Sequence, residues 1–330
     1  MAEAPDVNHN GPPAAPDQNQ QPAAPIEILA TYLGRLYQVY PDPNQTPHYL
    51  FPADKAEHDR LDLFHHAINF ALQGRHPAPE SRVKEGSHVL DIGCGSGIWL
   101  IELAKKVGPM EGLHLVGVDL QMNQPPSIPY TVSFERADVE EPWTGNLAAN
   151  APYDYIHCQL MRGAIRSWPT FYGHVAAHLK PGTGVFEHTE LDWTFRNDDF
   201  PLAPGLKQWN EEVSECMERH GAPLNPDPPG TRAALHAAGF VDIKEDAIMV
   251  PVSHWADDEF GRTIGRWFQL ALIRSIWPMA LAPLTRVGGR DEAYVEDLDD
   301  IAQEQIRSRE WTTGLYCILY IWTAKIPPRD

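Results

Sequence analysis

The chain has 330 residues, 43% of them hydrophobic, with 45 acidic against 26 basic side chains and a formal net charge of −19. That length suffices for one large domain or a domain with a cap. No apolar run approaches the ~20 residues that cross a bilayer, and so negative a field, without a basic cluster to offset it, disfavours direct contact with nucleic acid.

The four cysteines, Cys94, Cys158, Cys216 and Cys317, form no Cys-x-x-Cys pair, so neither a disulfide frame nor a metal site is expected. The chain is read as soluble and intracellular. Residues 1–25 hold six prolines, no Lys or Arg and almost nothing apolar, which predicts a disordered tail. Residues 26–80 are read as an N-terminal helical lid. They open on Tyr32, Tyr37, Tyr40 and Tyr49, interrupted by a Pro41-Asp42-Pro43-Asn44 turn, and Leu61, Phe64, Ile68 and Leu72 then share one helical face. Two readings stay open: a helix covering one edge of a sheet, and a lid whose tyrosines line an active site and exclude water.

Residues 81–195 are organised around Val89-Leu90-Asp91-Ile92-Gly93-Cys94-Gly95-Ser96-Gly97-Ile98-Trp99. A short apolar run is a buried parallel strand, and the glycines make a turn into a helix. Such a turn lets a ligand lie against the backbone with the helix amides pointing at it. Ile98 stands where the dinucleotide fingerprint needs a small third residue, and no Gly-Lys-Ser/Thr follows, so neither a dinucleotide nor a P-loop phosphate fits. Asp91 would repel a pyrophosphate and suits a ligand that brings a positive group.

A helix over Ile98 to Val107 leads to a second strand, His114 to Asp119. An acid at that strand end takes ribose hydroxyls in nucleotide-binding α/β folds, or else caps a helix. Val132 to Arg136 is a third strand, followed by Ala137-Asp138-Val139. Tyr153 to Cys158 is a fourth, opening His157, Gln159 and Arg162 into the crevice. A helix from Trp168 and a Lys180-Pro181-Gly182 turn precede a fifth strand, Val185 to His188, with Glu187, His188, Glu190 and Asp192 at its end. Residues 196–290 are read as a substrate or cap insertion with a return strand near Val241. Its apolar stretch, Ile264 to Leu284 with Trp267 and Trp277, is expected to pack on the insertion or on a second copy in a homodimer. An acidic helix and a closing strand, Leu315 to Trp322, occupy 291–330. Strands alternating with helices predict an α/β fold.

Asp91 to Gly97, as Asp-x-Gly-x-Gly-x-Gly, resembles motif I of class I S-adenosylmethionine-dependent methyltransferases, and Leu179-Lys180-Pro181-Gly182 before a strand is similar to theirs. A narrower resemblance rests on Tyr49-x-x-Pro52-x-Asp54-x-x-Glu57-x-x-Arg60, a pattern of the fungal LaeA-like group. His157, Gly163-Ala164-Ile165, Trp168 and Leu284 to Gly289 extend it over residues 30–326. Gln159 and Ser167 stand where that group often has Arg and Asp. The resemblance implies a Rossmann-like, seven-stranded, mostly parallel sheet with helices on both faces, a helical lid and an insertion after strand five. It implies S-adenosylmethionine beside Asp91, Gly93, Gly95 and Gly97, with Asp119 at the ribose and Asp138 and Val139 at the adenine.

Methyl transfer needs alignment first and a general base only for a protonated nucleophile. His157 and His188 are the base candidates, because imidazole titrates near neutrality. The expected function is methylation of a small-molecule O or N nucleophile in fungal secondary metabolism. The alternatives are a nuclear regulator working through velvet-type partners and a cofactor-assisted cyclase. Cytoplasm, nucleus or both are the expected locations.

Overall fold

The structure, a computed structural model, describes residues 28–39, 49–73 and 79–329. The expected tail, Tyr40 and the Pro41-Asp42-Pro43-Asn44 turn lie outside the described residues. Strands β1 (Ile28–Tyr32) and β2 (Arg35–Val39) form an antiparallel hairpin that the sequence reading did not anticipate. Its turn, Leu33-Gly34, has φ of +46° and +77°. Two positive φ values match the twist of a tight hairpin, but Leu is not the residue that advertises one. Helix α1 (Lys55–Leu72) follows, with the Asp54 carboxylate accepting from the Glu57 N–H as its N-cap.

The sheet is built from β3 (His88–Ile92), β4 (His114–Asp119), β5 (Val132–Arg136), β6 (Tyr155–Gln159), β7 (Val185–Arg196), β8 (Val241–Pro251) and β9 (Tyr316–Lys325). Their order is β5-β4-β3-β6-β7-β9-β8, with β9 antiparallel to both neighbours and the β5-to-β7 pairings parallel. Residue alternation assigns the two faces. Val89, Leu115 and Tyr155 pack under α2 (Ile98–Val107), whereas Leu90, Val116 and Ile156 pack on the other side. That other side is covered by α3 (Gly145–Ala149), α4 (Trp168–His178) and, after β7, α6 (Pro228–Ala237). Helices on both faces are therefore observed as expected.

Between β7 and β8 lie α5 (Pro204–His220) and α6. Between β8 and β9 lie α7 (Glu259–Ile273), α8 (Ile276–Ala282), a π-helical turn (Pro283–Val287), α9 (Glu292–Arg307) and α10 (Arg309–Thr312). The apolar stretch Ile264 to Leu284 finds its cover within the chain. Ile264, Phe268, Leu272, Ile276 and Leu281 are buried with Phe64 and Ile68 of α1, and Trp267 stacks on Phe70. The lid helix thus closes the large helical core.

One strand differs in length from the reading. β7 does not end at His188 but runs on to Arg196, pairing with β9 past Glu190 and Asp192. Glu187, His188, Glu190 and Asp192 are buried inside it. Acids inside a strand read as its end. Here each has a partner: Glu190 accepts from the N–H groups of Met161 and Arg162, and Asp192 from Arg196.

Candidate active site

A cleft opens at the carboxyl ends of β3, β4, β5 and β6, where the strand order reverses and open α/β sheets bind ligands. Its floor is the glycine turn. A Cβ on Gly93 would stand 2.2 Å from Met161 Sδ, and one on Gly97 2.3 Å from the Phe134 ring. Protein fills both of those spaces. At Gly95 the nearest atom is His58 Cδ2 at 4.0 Å, so that face of the backbone opens on the cleft. All three glycines have positive φ. A ligand can therefore lie flat on Gly95, beside the N-terminus of α2.

Asp119 Oδ2 accepts the Gly95 N–H at 2.9 Å and Oδ1 the Gln121 N–H at 3.0 Å. No helix begins there, so the helix-cap alternative does not apply. Burial pushes the Asp119 carboxyl above its ordinary value, against those two donors and nearby His58. Asp138 and Val139 line the cleft beyond β5, with Ala137, Ala164 and Ile165 adding apolar wall. These residues converge on one cleft, as a strand-end carboxylate and an apolar slot with an acid at its rim. The donor set fits S-adenosylmethionine.

Asp91 is buried and lines the cleft, and its Oδ1 accepts from His157 Nδ1 at 2.7 Å. His157 stacks on Trp99 with centroids 4.0 Å apart and planes at 4°, and its Nε2 stands 4.0 Å from Glu187. In register, Asp91, His157 and Glu187 sit side by side across β3, β6 and β7. His157 thus lines the cleft between two carboxylates, its Nδ1 committed to Asp91.

His188 departs from the general-base reading. It is fully buried and outside the cleft, with Nε2 donating to Glu190 at 3.0 Å and Nδ1 accepting from Tyr172 at 3.1 Å. Trp168 stacks on its ring, and burial holds its pKa below the ordinary value despite Glu190. It is a neutral structural histidine.

The lid supplies the residues that sequence reasoning left unassigned. Gln38, Tyr49, Pro52, Ala53, Glu57, His58 and Asp62 face the glycine turn from above. Neither reading of this segment holds as it stood: one face of α1 packs on α7 in the helical core rather than on a sheet edge. The other face roofs the cleft, with Tyr49 alone among the described tyrosines of the segment. Each position of the Tyr49-to-Arg60 pattern has a physical task. Asp54 caps α1 and pairs with both ends of the Arg35 guanidinium, at 2.6 and 2.7 Å. Arg60 donates to Glu57 through Nε at 3.0 Å and Nη2 at 2.5 Å, and through Nη1 to Ser275 at 3.2 Å. Burial lowers the Arg60 pKa, but the buried Glu57 carboxylate more than reverses this and holds it charged. Asp62 accepts from Ser96 of the glycine turn at 2.6 Å. Of the tyrosines, Tyr49 lines the cleft, while Tyr32 and Tyr37 lie under Arg286 and belong to the lid's anchor.

A family profile described as a methyltransferase domain matches residues 59–245. The chain is 49% identical over 317 residues to a protein named secondary metabolism regulator LAE1 from Pyricularia oryzae, across 96% of this chain and 95% of that one. It is 36% identical over 285 residues to the LAE1 of Cochliobolus heterostrophus, across 84% and 90% of the two chains. Among solved structures, a cyclopropane-fatty-acyl-phospholipid synthase-like protein from Lactobacillus casei matches with a TM-score of 0.48 and 13% identity, over 84% of this chain and 95% of that one. The chain belongs to the LaeA-like family of methyltransferase-domain proteins of fungal secondary metabolism, and its cofactor is S-adenosylmethionine.

Proposed function

We propose that the chain is an active S-adenosylmethionine-dependent methyltransferase that regulates secondary metabolism. The observation that supports catalysis is an undamaged cofactor floor, with Gly95 open to the cleft and Asp91, Asp119 and Asp138 around it. Regulation is supported by the near full-length match to a secondary metabolism regulator. The bound cofactor supplies an activated methyl on a sulfonium. Asp91, held by His157, receives its cationic amino-acid end, Asp119 its ribose, and Asp138 with Val139 its adenine.

The lid then contributes alignment and dryness. Tyr49, Pro52 and Ala53 present apolar surface opposite Leu160, with Gln38 and Gln159 as hydrogen-bonding groups for an acceptor. Holding nucleophile and methyl in line contributes up to roughly 7–11 kcal/mol of the barrier reduction. Neither histidine named from the sequence takes the proton, so an acceptor enters unprotonated or loses its proton to water. In this reading the protein works in the nucleus with velvet-type partners, which fluorescence microscopy and co-purification from the fungus test.

A second reading, small-molecule tailoring, is favoured by the roof of α1, which restricts the height of anything bound beneath it. Metabolite profiles of a deletion strain and of a Gly95→Asp strain separate the two. Loss of many unrelated products in both strains supports regulation through methyl transfer. One metabolite short of a methyl group in both supports tailoring. A wild-type profile in the Gly95→Asp strain sinks both.

A further inference from the structure

We infer that His58 binds the α-carboxylate of the cofactor. The cleft is lined by six acids, Glu57, Asp62, Asp91, Asp119, Asp138 and Glu140, and among the described residues by no Lys or Arg. That suits a ligand's ammonium, sulfonium and hydroxyl groups. It leaves the negative end without a cationic side chain. The dipole of α2 directs an anion to the helix start at Ile98, next to the glycine turn.

Three histidines line the cleft and could supply the missing charge. His157 is committed to Asp91 and faces Glu187. His65 directs its Nε2 at Glu102, 3.0 Å away, with Asn69 beside it at 2.8 Å. His58 is placed otherwise. The first turn of α1 brings its ring to the open face of Gly95. Its Nδ1 donates to the Asp54 carbonyl at 2.9 Å, since that oxygen can only accept, and this fixes the tautomer and aims Nε2 away from the helix. Nε2 meets the Asn123 amide at 3.3 Å.

A carboxylate arriving at the helix start would find Nε2 able to protonate and donate a charge-assisted hydrogen bond. Asp62 on α1 and Asp119 at the end of β4 line the same part of the cleft. The acids of the floor thus read the cofactor's cationic end, and the lid reads its anion. This role rests on the cofactor assignment, and the test separates the two.

The test is calorimetric titration of the full chain with S-adenosylmethionine and with 5′-methylthioadenosine, which lacks the amino-acid end. His58→Ala should weaken S-adenosylmethionine about tenfold, the low end for a hydrogen bond to a charged group, and 5′-methylthioadenosine by less than about twofold. His58→Lys, which keeps a cation, should recover most of the loss. An unchanged affinity for S-adenosylmethionine in His58→Ala overturns the role. So does an equal loss for both ligands, which would mean that His58 only shapes the lid. A wild-type chain that binds neither ligand overturns the cofactor assignment and the role with it.

Discussion

The floor of the cleft is made from successive strand ends between Asp91 and His157, whereas its roof is tied to helices far along the sequence. In the floor, each contact joins neighbouring strand ends: Gly95 to Asp119, Asp91 to His157. In the roof, Arg60 reaches Ser275 across 215 residues, and Tyr32 reaches Thr285 across 253. The floor therefore carries specificity for the cofactor on backbone geometry that the sheet already fixes. The roof carries its position on buried polar pairs, which need the helical core around them. Damage to the floor should cost binding and spare stability, and damage to the roof should do the reverse.

The largest expected effect is in the roof. Arg60→Ala leaves Glu57 charged and buried without its partner, which costs about 3–5 kcal/mol. Denaturant titration measures it. The double variant Glu57→Gln, Arg60→Met replaces the pair by groups that need no counter-charge and should recover most of that loss. If the single and double variants are equally unstable, the pair is not what anchors the lid.

Gly95→Asp should be the largest effect in the floor. It adds a carboxylate beside Asp119 and fills the open face, so cofactor affinity should fall by more than about 100-fold, or roughly 2.7 kcal/mol. Its φ of +52° strains a side chain only modestly for Asp, so the melting temperature should move by a few degrees at most. A collapse in stability as large as that of Arg60→Ala would erase the contrast between floor and roof.

Asp119→Asn should weaken the cofactor by about tenfold, the value of a hydrogen bond to a charged group, and it keeps an acceptor for only one of the two N–H groups, that of Gly95 or that of Gln121. It also has a signature in pH. Burial raises the Asp119 pKa in the folded chain, so the folded state holds its proton to higher pH than the unfolded state does. Wild-type stability should therefore fall as pH rises from about 4, the ordinary carboxylate value, through the raised one. Asp119→Asn should flatten that slope. A steeper slope in the variant would mean that Asp119 is not the group responsible.

This contrast also explains what the sequence made legible. Asp91, the glycines, Asp119 and Asp138 could be placed because strand periodicity puts them at successive strand ends, and the motif resemblance supplied their tasks. Glu190 and Asp192 misled because a buried acid and a strand-ending acid look alike until the N–H groups of Met161 and Arg162 are seen to satisfy one of them. The β1–β2 hairpin was missed because Leu33 sits at positive φ, where Asn or Gly would have marked the turn. His157 was named as a base candidate, but its surroundings were out of sight, since only the register across β3, β6 and β7 shows carboxylates on both sides of it. The roles of Glu57, His58 and Asp62 were out of reach, because helical spacing says which face of α1 is apolar but not what lies beneath the other.

The smallest expected effect tests whether floor and roof are coupled. Asp54 stands at the start of α1, where its carboxylate caps the helix and holds Arg35 of the hairpin. Burial alone would raise its pKa, but Arg35 and the N–H groups of Glu57 and Leu36 hold it below the ordinary value. A depressed carboxylate stabilises the fold fully above about pH 4 and stops doing so as pH falls through its folded value. Asp54→Ala should cost about 1–2 kcal/mol at neutral pH, a cap with a little more for the ion pair. The difference from wild type should shrink in acid. Asp54→Asn, which can still cap, should lose only the part due to Arg35. Because His58 takes its orientation from the Asp54 carbonyl and not from the side chain, cofactor affinity in Asp54→Asn should stay within about twofold of wild type, well below the effect of one charged hydrogen bond. A tenfold loss there would show that the cap residue tunes the cofactor site through the lid, and that roof and floor are one cooperative unit.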